Sequence, residues 1–427
     1  MKILIKNATL VNKDCIEKLD ILIQDNKILK VQNNIIEKAD ETIDAEGKYV
    51  FPGFIDLHTH LRSPGREDEE DLLSGANAAV KGGFTDIFCM PNTDPAIDNE
   101  GLATWIIEES RRIGLVDIHP IGAITKNREG KKLTEFNTLK NAGCLCFSDD
   151  GSSVNDPLVF RRALEYAKMS DSLIIEHCED NSICNKGAMR EGFISSQHGL
   201  PAIPDIAESL IVDRDLQIAK YLDTKIHLAH ISTAKSVEII RRAKRESVKV
   251  TCETCPHYFV LTVDDVVNSN FNSNFKVNPP LGDKNDLEAI KKALKEGVID
   301  CIATDHAPHS QSEKELPFEY APFGFMGLEL AFSLINTYLV KTGVLDLKGI
   351  AEKLAFNPAK ITGLTNCGEI KEGYQSNLVI VDIDKKWTVE EENIVSKSKN
   401  TPFLNKELEG VIEYTIYKGT IVYKNQS

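Results

Sequence analysis

The chain has 427 residues, a formal net charge of −15, and a composition that is 42% hydrophobic and 27% charged. These values are typical of a soluble globular protein that is large enough for more than one domain. The acidic balance argues against nucleic-acid binding, and no apolar run is long enough to predict a membrane span. The N-terminus has no signal-peptide pattern and the ten cysteines are scattered, so we expect a cytoplasmic protein with free thiols.

Both ends of the chain carry short alternating runs that are typical of antiparallel strands. The runs "KILIKNATLV" and "LDILIQDNKILKV" lie near the N-terminus, and "NLVIVDI" and "GVIEYTIYKGTIVY" lie near the C-terminus. Because the sequence between these ends has a different pattern, we predict that residues 1–52 and 362–427 together form one small β-sandwich domain.

Residues 53–361 alternate between apolar, strand-like runs and amphipathic, helix-like stretches. The strand-like runs are, in chain order, "FPGFIDLHTH", "GGFTDIFCMPNT", "VDIHPIGAIT", "CLCFSDDG", "LIIEHCED", "KIHLAHIST", "VKVTCETCPHY" and "DCIATDHAPH". Eight strands that alternate with helices predict an α/β fold whose parallel strands close into a TIM (β/α)8 barrel.

Histidine and aspartate residues fall at the C-terminal ends of these strands, on the face where barrel enzymes carry their chemistry. The two histidines of "HTH" project from the same face of one strand. The candidate set is His58, His60, Asp149 or Asp150, His177, His230 and Asp305. Four imidazoles and two carboxylates suit zinc or another divalent metal, and a set of more than four ligands indicates two ions with a shared ligand.

The remaining histidines carry weaker signals. His227 lies three residues before a candidate ligand and should face the other way, so we interpret it as structural. His306 should point away from the site for the same reason. His257 ends the seventh strand and is a candidate for lining the site. Nothing further in the sequence marks His119 or His198 as a site residue.

Several motifs resemble those of the dihydroorotases of the amidohydrolase superfamily. They are "FPGFIDLHTHLRSPG", "KGGFTDIFCMPNTDP", "KIHLAHISTAKS" and "IATDHAPHS", and "APFGFMGLE" and "NPAKITGL" extend the match. The resemblance is to the long bacterial class I type, in which the barrel joins a small β domain. It implies the reversible cyclisation of N-carbamoyl-L-aspartate to L-dihydroorotate and water in de novo pyrimidine biosynthesis.

The resemblance also implies how the metals are held. His58, His60 and Asp305 would hold one ion, His177 and His230 the other, and Asp150 would bridge the two. Many relatives bridge their metals with a carboxylated lysine instead, and the shorter aspartate would hold the second ion more weakly. We therefore expect one or two zinc ions per chain, and we interpret Asp149 as a structural or supporting residue.

The remaining site roles follow from the same resemblance. The substrate would be bound by Arg62, Asn92, Asn278, His309 and the backbone at Phe323 and Gly324. Arg62 shares a strand face with His60, and its guanidinium can bind a carboxylate through two hydrogen bonds. Asp305 would be the general acid and base for a metal-activated hydroxide that attacks the ring carbonyl.

Two alternatives remain at this stage. Hydantoinases and allantoinases act on related rings, but "CLCFSDDG" offers no lysine, and Arg62 favours a substrate with a carboxylate. A non-catalytic, dihydroorotase-like scaffold for aspartate carbamoyltransferase would have lost metal ligands, and this chain keeps each of them. We expect a small-molecule substrate, a homodimer and no nucleic-acid or membrane partner, and we leave association with aspartate carbamoyltransferase open.

Overall fold

The computed structural model describes residues 1–426. Its strands, numbered in chain order, are β1 Lys2–Val11, β2 Ile16–Gln24, β3 Lys27–Gln32, β4 Glu41–Asp44, β5 Tyr49–Pro52, β6 Phe54–Thr59, β7 Phe84–Cys89, β8 Asp117–Pro120, β9 Gly122–Ala123, β10 Cys146–Ser148, β11 Leu173–Glu176, β12 Met189–Arg190, β13 Ala202–Ile203, β14 Ile226–Leu228, β15 Val250–Thr254, β16 Cys301–Ile302, β17 Leu378–Thr388, β18 Glu407–Tyr417 and β19 Thr420–Lys424.

The α-helices are α1 Leu72–Lys81, α2 Glu100–Ile113, α3 Phe136–Asn141, α4 Pro157–Ser170, α5 Asn181–Cys184, α6 Phe193–His198, α7 Ile206–Leu222, α8 Ala234–Arg245, α9 Pro256–Val260, α10 Val263–Asn268, α11 Lys284–Lys295, α12 Gln311–Lys314, α13 Ala331–Ile335, α14 Leu347–Ala351 and α15 Asn357–Thr362. Two π-helical turns, Asn336–Val340 and Glu352–Phe356, continue α13 and α14. Within residues 1–426, no helix combines the length and the apolarity needed to cross a membrane.

The eight strand-like runs of the middle segment form a closed ring of parallel strands. β6, β7 and β8 pair in that order, and β9, β10, β11, β14, β15 and β16 form the second series. β8 and β9 are separated by Ile121 alone, so they act as one interrupted strand. A parallel bridge between Thr59 and His306 joins the two ends of the ring. The predicted TIM barrel is confirmed.

The barrel strands are apolar and the helices around them are amphipathic, as burial on both faces of a parallel sheet requires. Every residue of β6 and β7 is buried. On α8, Val237, Ile240 and Ala243 are buried, whereas the arginines and lysines of that helix are partly or fully exposed. The side chain of Thr233 accepts a hydrogen bond from the backbone of Ser236 and so caps the start of α8.

Strands from both ends of the chain join in one eight-stranded sheet with the order β19-β18-β17-β5-β1-β2-β3, and β4 pairs with β1. β17 runs antiparallel to β5, which places Leu378 opposite Pro52. This sheet has an apolar core of its own that includes Ile21 and Ile416. The two chain ends therefore form one β unit, as expected. The boundaries at 52/53 and 361/362 stay predictions.

The segment between β17 and β18 packs against the barrel. Val389, Ile394 and Phe403 share a buried cluster with Phe325 and Leu334. Residues 362–427 were all predicted to belong to the small domain, and this contact was not predicted. It brings the terminal segment next to the loops at the mouth of the barrel.

Candidate active site

The six residues predicted to bind metal meet at the C-terminal mouth of the barrel. Each lies in or within three residues of a different strand end, except that β6 supplies two of them. They are His58, His60, Asp150, His177, His230 and Asp305, and each is at most 6% exposed. The alternation of side chains along the strands explains why the two histidines of "HTH" both reach the interior.

Asp150 is the centre of this group, because its carboxylate faces all four histidines. Its Oδ1 lies 3.3 Å from His58 Nε2, 3.4 Å from His177 Nδ1 and 3.5 Å from His230 Nε2. Its Oδ2 lies 3.5 Å from His60 Nε2. A carboxylate that contacts histidines on both sides has the position that a bridging ligand needs.

Asp305 completes one side of the group. Its Oδ1 lies 3.1 Å from His60 Nε2 and 3.6 Å from His58 Nε2. On the other side, His177 Nδ1 and His230 Nε2 are 2.8 Å apart. Ligand atoms lie within 4.8 Å of one another in two sets, His58 with His60 and Asp305, and His58 with Asp150 and His230.

The chemistry of these donors fits a divalent metal. His58 Nε2 and Asp150 Oδ1 are buried and have no hydrogen-bond partner among the described residues. Burial disfavours the charged form of each group, but the attraction between the imidazoles and the carboxylates outweighs burial. This attraction raises the pKa of His58 well above its usual value and holds the pKa of Asp150 well below its usual value. The pocket therefore favours positive charge between its carboxylates.

Two glutamates contact the outer nitrogens of His58 and His177, and of these Glu253 is completely buried whereas Glu179 is partly buried. Glu253 Oε1 lies 2.9 Å from His58 Nδ1, and Glu179 Oε2 lies 3.1 Å from His177 Nε2. Burial opposes ionisation of Glu253, but its two histidine contacts lower its pKa to about 2. Neither residue was predicted from the sequence, although an acid within the strand-like run "VKVTCETCPHY" was a signal for Glu253.

The backbone at the site is strained. Arg62, His230 and Asp305 have φ angles of 57°, 31° and 49°, in the left-handed region that residues other than glycine rarely adopt. Gly151, directly after Asp150, has a φ of 75°, which glycine adopts without this cost. Such conformations persist where the surrounding structure requires a particular side-chain direction.

Arg62 and His309 lie side by side next to the metal group, and Glu69 holds both. Arg62 Nη2 is 3.1 Å from His309 Nε2. The carboxylate of Glu69 lies 3.1 Å from Arg62 Nε and 2.8 Å from His309 Nδ1. Glu69 is 1% exposed. It belongs to the charged loop "LRSPGREDEEDLL", and the sequence analysis did not single it out.

The two asparagines predicted to bind substrate also contact metal-site histidines. Asn92 Oδ1 accepts a hydrogen bond from His60 Nδ1 at 2.9 Å. The amide of Asn278 donates to Glu179 and lies 3.4 Å from His177 Nε2, and its Oδ1 is buried without a partner among the described residues. Each asparagine side chain therefore has a polar atom that does not bond to these neighbours.

The loop at Phe323 and Gly324 lies beside His309, but most of its backbone polar groups are already used. The N–H of Gly324 donates to the carbonyl of Lys276 at 2.9 Å. Its carbonyl accepts from Lys314 Nζ at 2.9 Å and from Asn400 Nδ2 at 3.1 Å. A substrate contact through the polar groups of Gly324 would have to replace one of these bonds. The carbonyl of Phe323 accepts from His309 Nε2 at 2.7 Å.

Asn400 links the terminal segment to this half of the site. Its Oδ1 accepts from the backbone N–H of His309 at 3.1 Å, and its Nδ2 donates to Gly324. Ser398, two residues earlier, donates to the backbone carbonyl of Glu69. No sequence pattern indicates these contacts, because the partners lie about 80 to 330 residues apart in the chain.

Other polar residues near the barrel mouth have partners away from the metal group. His227 contacts Thr251 Oγ1 at 2.8 Å and Glu253 Oε2 at 3.1 Å, and His306 Nε2 lies 3.3 Å from Glu70. His227 was expected to be structural and His306 to point away from the site, and neither imidazole hydrogen-bonds to a predicted metal ligand.

The carboxylate of Asp149 accepts from the backbone and the hydroxyl of Thr125, so it faces away from Asp150. His257 is buried near Asp305, and its Nε2 has no hydrogen-bond partner among the described residues. His119 contacts Asp86, and His198 packs on Phe271.

Comparison with known proteins agrees with this geometry. Residues 47–236 match a family model described as dihydro-orotase-like. A dihydroorotase from Caldicellulosiruptor saccharolyticus is 47% identical over 427 residues and is matched over 99% of both chains. A dihydroorotase from Caldanaerobacter subterraneus subsp. tengcongensis is 44% identical over 99% of this chain and 98% of its own.

Solved structures share the architecture. An L-hydantoinase (dihydropyrimidinase) from Arthrobacter aurescens superposes with a TM-score of 0.89 at 25% identity, over 100% of this chain and 96% of its own. A dihydropyrimidinase from Brevibacillus agri gives the same TM-score and coverage at 24% identity, which shows the fold alone. With full-length relatives at this identity and the motif residues gathered at one barrel mouth, the chain belongs to the dihydroorotases.

Proposed function

We propose that this chain interconverts N-carbamoyl-L-aspartate and L-dihydroorotate at the mouth of the barrel, with the residue roles given below. The observation that carries the proposal is the arrangement around Asp150. Its carboxylate faces four buried histidines, Asp305 lies beside two of them, and the paired Arg62 and His309 lie next to this group. Such a site places a hydrolytic centre next to a cation that can bind a carboxylate.

Zinc is the metal we propose for this centre, with one or two ions per chain. His58, His60 and Asp305 would hold one ion, His177 and His230 the other, and Asp150 would bridge them in place of a carboxylated lysine. The contacts of Asp150 with all four histidines support the bridging role. A bound zinc ion supplies Lewis acidity, which activates water near neutral pH and polarises a carbonyl.

Asp305 is the proposed general base and acid. Burial alone would raise its pKa, but the hydrogen bond from His60 and the nearby imidazoles lower it, so the carboxylate is ionised at neutral pH. In ring opening, Asp305 accepts a proton from the attacking water and delivers it to the leaving ring nitrogen. In ring closure it moves the proton in the opposite direction.

The substrate carboxylate is proposed to bind Arg62. One guanidinium edge is already used by Glu69 and Pro308, which fixes the side chain and leaves further N–H groups for the ligand. His309, Asn92 and Asn278 would orient the rest of the ring. The backbone at Phe323 and Gly324 is proposed to contact the ring edge. Because the N–H and the carbonyl of Gly324 already have partners, a hydrogen bond from the substrate to Gly324 would have to replace one of them.

We also propose that the protein acts in the cytoplasm as a homodimer and that residues 1–52 and 362–427 form a domain distinct from the barrel. The ten free cysteines support a reducing compartment, and the sheet shared by both chain ends supports the domain. Association with aspartate carbamoyltransferase remains open. Analytical ultracentrifugation, alone and with that enzyme added, tests the assembly.

The test of the reaction is an assay of the purified protein in both directions, before and after removal and return of zinc. We expect turnover of dihydroorotate that is lost on chelation and restored by zinc, with little activity on hydantoin. Because ring closure consumes a proton, the equilibrium should shift toward dihydroorotate as the pH falls. An equilibrium ratio that is independent of pH, or a folded and metal-loaded protein without turnover, would contradict the proposal.

A further inference from the structure

Glu253 connects a proposed metal ligand to polar residues in the barrel wall. It lies on β15, and its side chain is completely buried. One carboxylate oxygen is 2.9 Å from His58 Nδ1, and the other is 3.1 Å from His227 Nε2. A single carboxylate therefore joins a histidine of the metal group to a histidine outside it.

Beyond Glu253, the hydrogen bonds extend through His227 to Thr251. His227 Nδ1 is 2.8 Å from the hydroxyl of Thr251. A hydroxyl can donate to an imidazole nitrogen, and a carboxylate can only accept. In this arrangement Thr251 donates to His227, His227 donates from Nε2 to Glu253, and His58 donates from Nδ1 to the same carboxylate.

This pattern determines which nitrogen of His58 is available to a metal. With its hydrogen on Nδ1, His58 presents the lone pair of Nε2. That nitrogen lies 3.3 Å from Asp150 and 3.6 Å from Asp305, the two carboxylates of the metal group. An anionic partner on the outer nitrogen also makes an imidazole a stronger ligand.

We infer that Glu253 is a positioning residue of the metal centre, which acts through His58 by fixing the tautomer and the orientation of that ligand. The inference rests on the proposed function, because it needs a metal at His58. Glu253 also lies within 4.8 Å of His227 and Cys301 as a possible ligand set. Both of its oxygens already accept imidazole N–H groups, so we assign no second metal site there.

The test compares zinc binding by the full-length protein and by Glu253→Gln, using competition with a chromogenic chelator. Glutamine keeps the size of the side chain and removes its charge. We expect zinc affinity to fall by about 10- to 100-fold, the range measured when partners of metal ligands are removed. Excess zinc should restore turnover, which a purely structural role of Glu253 would not predict. Affinity within about twofold of the wild type would overturn the inference.

A matched control is Glu329→Gln. Glu329 is also a buried carboxylate, but it accepts from the backbone of Val395 and Ser396 and pairs with Lys81 instead of a histidine. This variant should bind zinc as the wild type does. If it lost zinc affinity as strongly as Glu253→Gln, the effect would be general destabilisation and the inference would be wrong.

Thr251→Val gives a second measurement that does not depend on the folding of Glu253→Gln. It removes only the hydroxyl that orients His227, and we expect a zinc affinity about two- to fivefold weaker. If Glu253→Gln did not fold, unchanged affinity in Thr251→Val would overturn the inference. A wild-type protein without zinc would contradict the proposed metal centre itself, whereas equal binding by wild type and variants would contradict only the role of Glu253.

Discussion

The active site has a metal half and a substrate half that are built in different ways. The metal half takes its ligands from barrel strand ends and supports them with residues on other barrel strands, such as Glu253 on β15, which contacts His58. The substrate half lies on loops, and it is supported by residues from distant parts of the chain, such as Asn400. The comparison indicates that the metal half is fixed by the barrel itself, whereas the substrate half depends on how the terminal segment packs.

The largest expected effect is that of Asp150→Ala on the metal half. Its carboxylate faces all four histidines, so its removal takes away the one negative group that the two sides of the metal group share. We expect loss of bound zinc and a fall in kcat of about 1000-fold or more, as several kcal/mol of charge stabilisation are removed. Elemental analysis and a turnover assay measure both.

Asp149→Asn is the control for that change. Asp149 is the neighbouring acid, but it contacts Thr125, and burial raises its pKa. This variant should keep its zinc. A metal content in Asp150→Ala equal to that of the wild type would show that the strand-end carboxylate does not hold the metals.

Arg62→Met should affect the substrate half alone. Arg62 is not a proposed metal ligand, and a hydrogen bond to a charged group contributes about 1.5–3 kcal/mol. We expect KM to rise about 10- to 100-fold while zinc content stays the same. Steady-state kinetics with elemental analysis measure this separation. Arg112→Met, which removes an exposed arginine on α2, should change neither quantity. Loss of zinc in Arg62→Met would mean that the two halves are not independent.

Asn400→Ala tests whether the terminal segment supports the substrate half. The change removes the acceptor of the His309 N–H and one donor to Gly324. Because each neutral hydrogen bond contributes about 1 kcal/mol, we expect KM to rise about fivefold without loss of zinc. Asn393→Ala, at an exposed position of the same segment, is the control. An unchanged KM in Asn400→Ala would limit the role of the segment to folding.

The last prediction concerns stability and not catalysis. Lys314 donates to the carbonyls of Pro322 and Gly324, and burial, with the nearby Lys276, lowers its pKa to about 7. Between this pKa and the unfolded value of 10.5, the unfolded chain holds a proton that the folded chain lacks. The free energy of unfolding should therefore rise with pH in this window, by up to about 1.4 kcal/mol per pH unit.

Replacing Lys314 with methionine should flatten that rise between pH 7 and 9. Chemical denaturation at the two pH values measures the slope. Lys131→Met, at a side chain that is 79% exposed, should leave it unchanged. An identical slope in Lys314→Met and the wild type would show that another group causes any pH dependence.

Much of the metal half could be predicted, because strand geometry determines which side chains face the barrel mouth. The period of two along β6 places His58 and His60 on one face, and parallel strands bring their C-terminal ends to one edge. The same alternation places Asp149 and Asp150 on opposite faces, whereas the choice of Asp150 as the ligand came from the resemblance. These rules could not identify Glu253, because an acid inside a strand gives no sign of its partner on another strand of the ring.

The sequence by itself determined the eight βα units, the strand-end histidines and aspartates, the β strands at both chain ends and the motifs of the family. These features are local or periodic, so the order of residues specifies them directly. Only the tertiary structure decided that Glu69 joins Arg62 to His309, that Asn400 reaches the substrate loop, and that the polar groups of Gly324 are already bonded. Those contacts join residues far apart in the chain, and their hydrogen-bond geometry exists only after the loops and the terminal segment have packed.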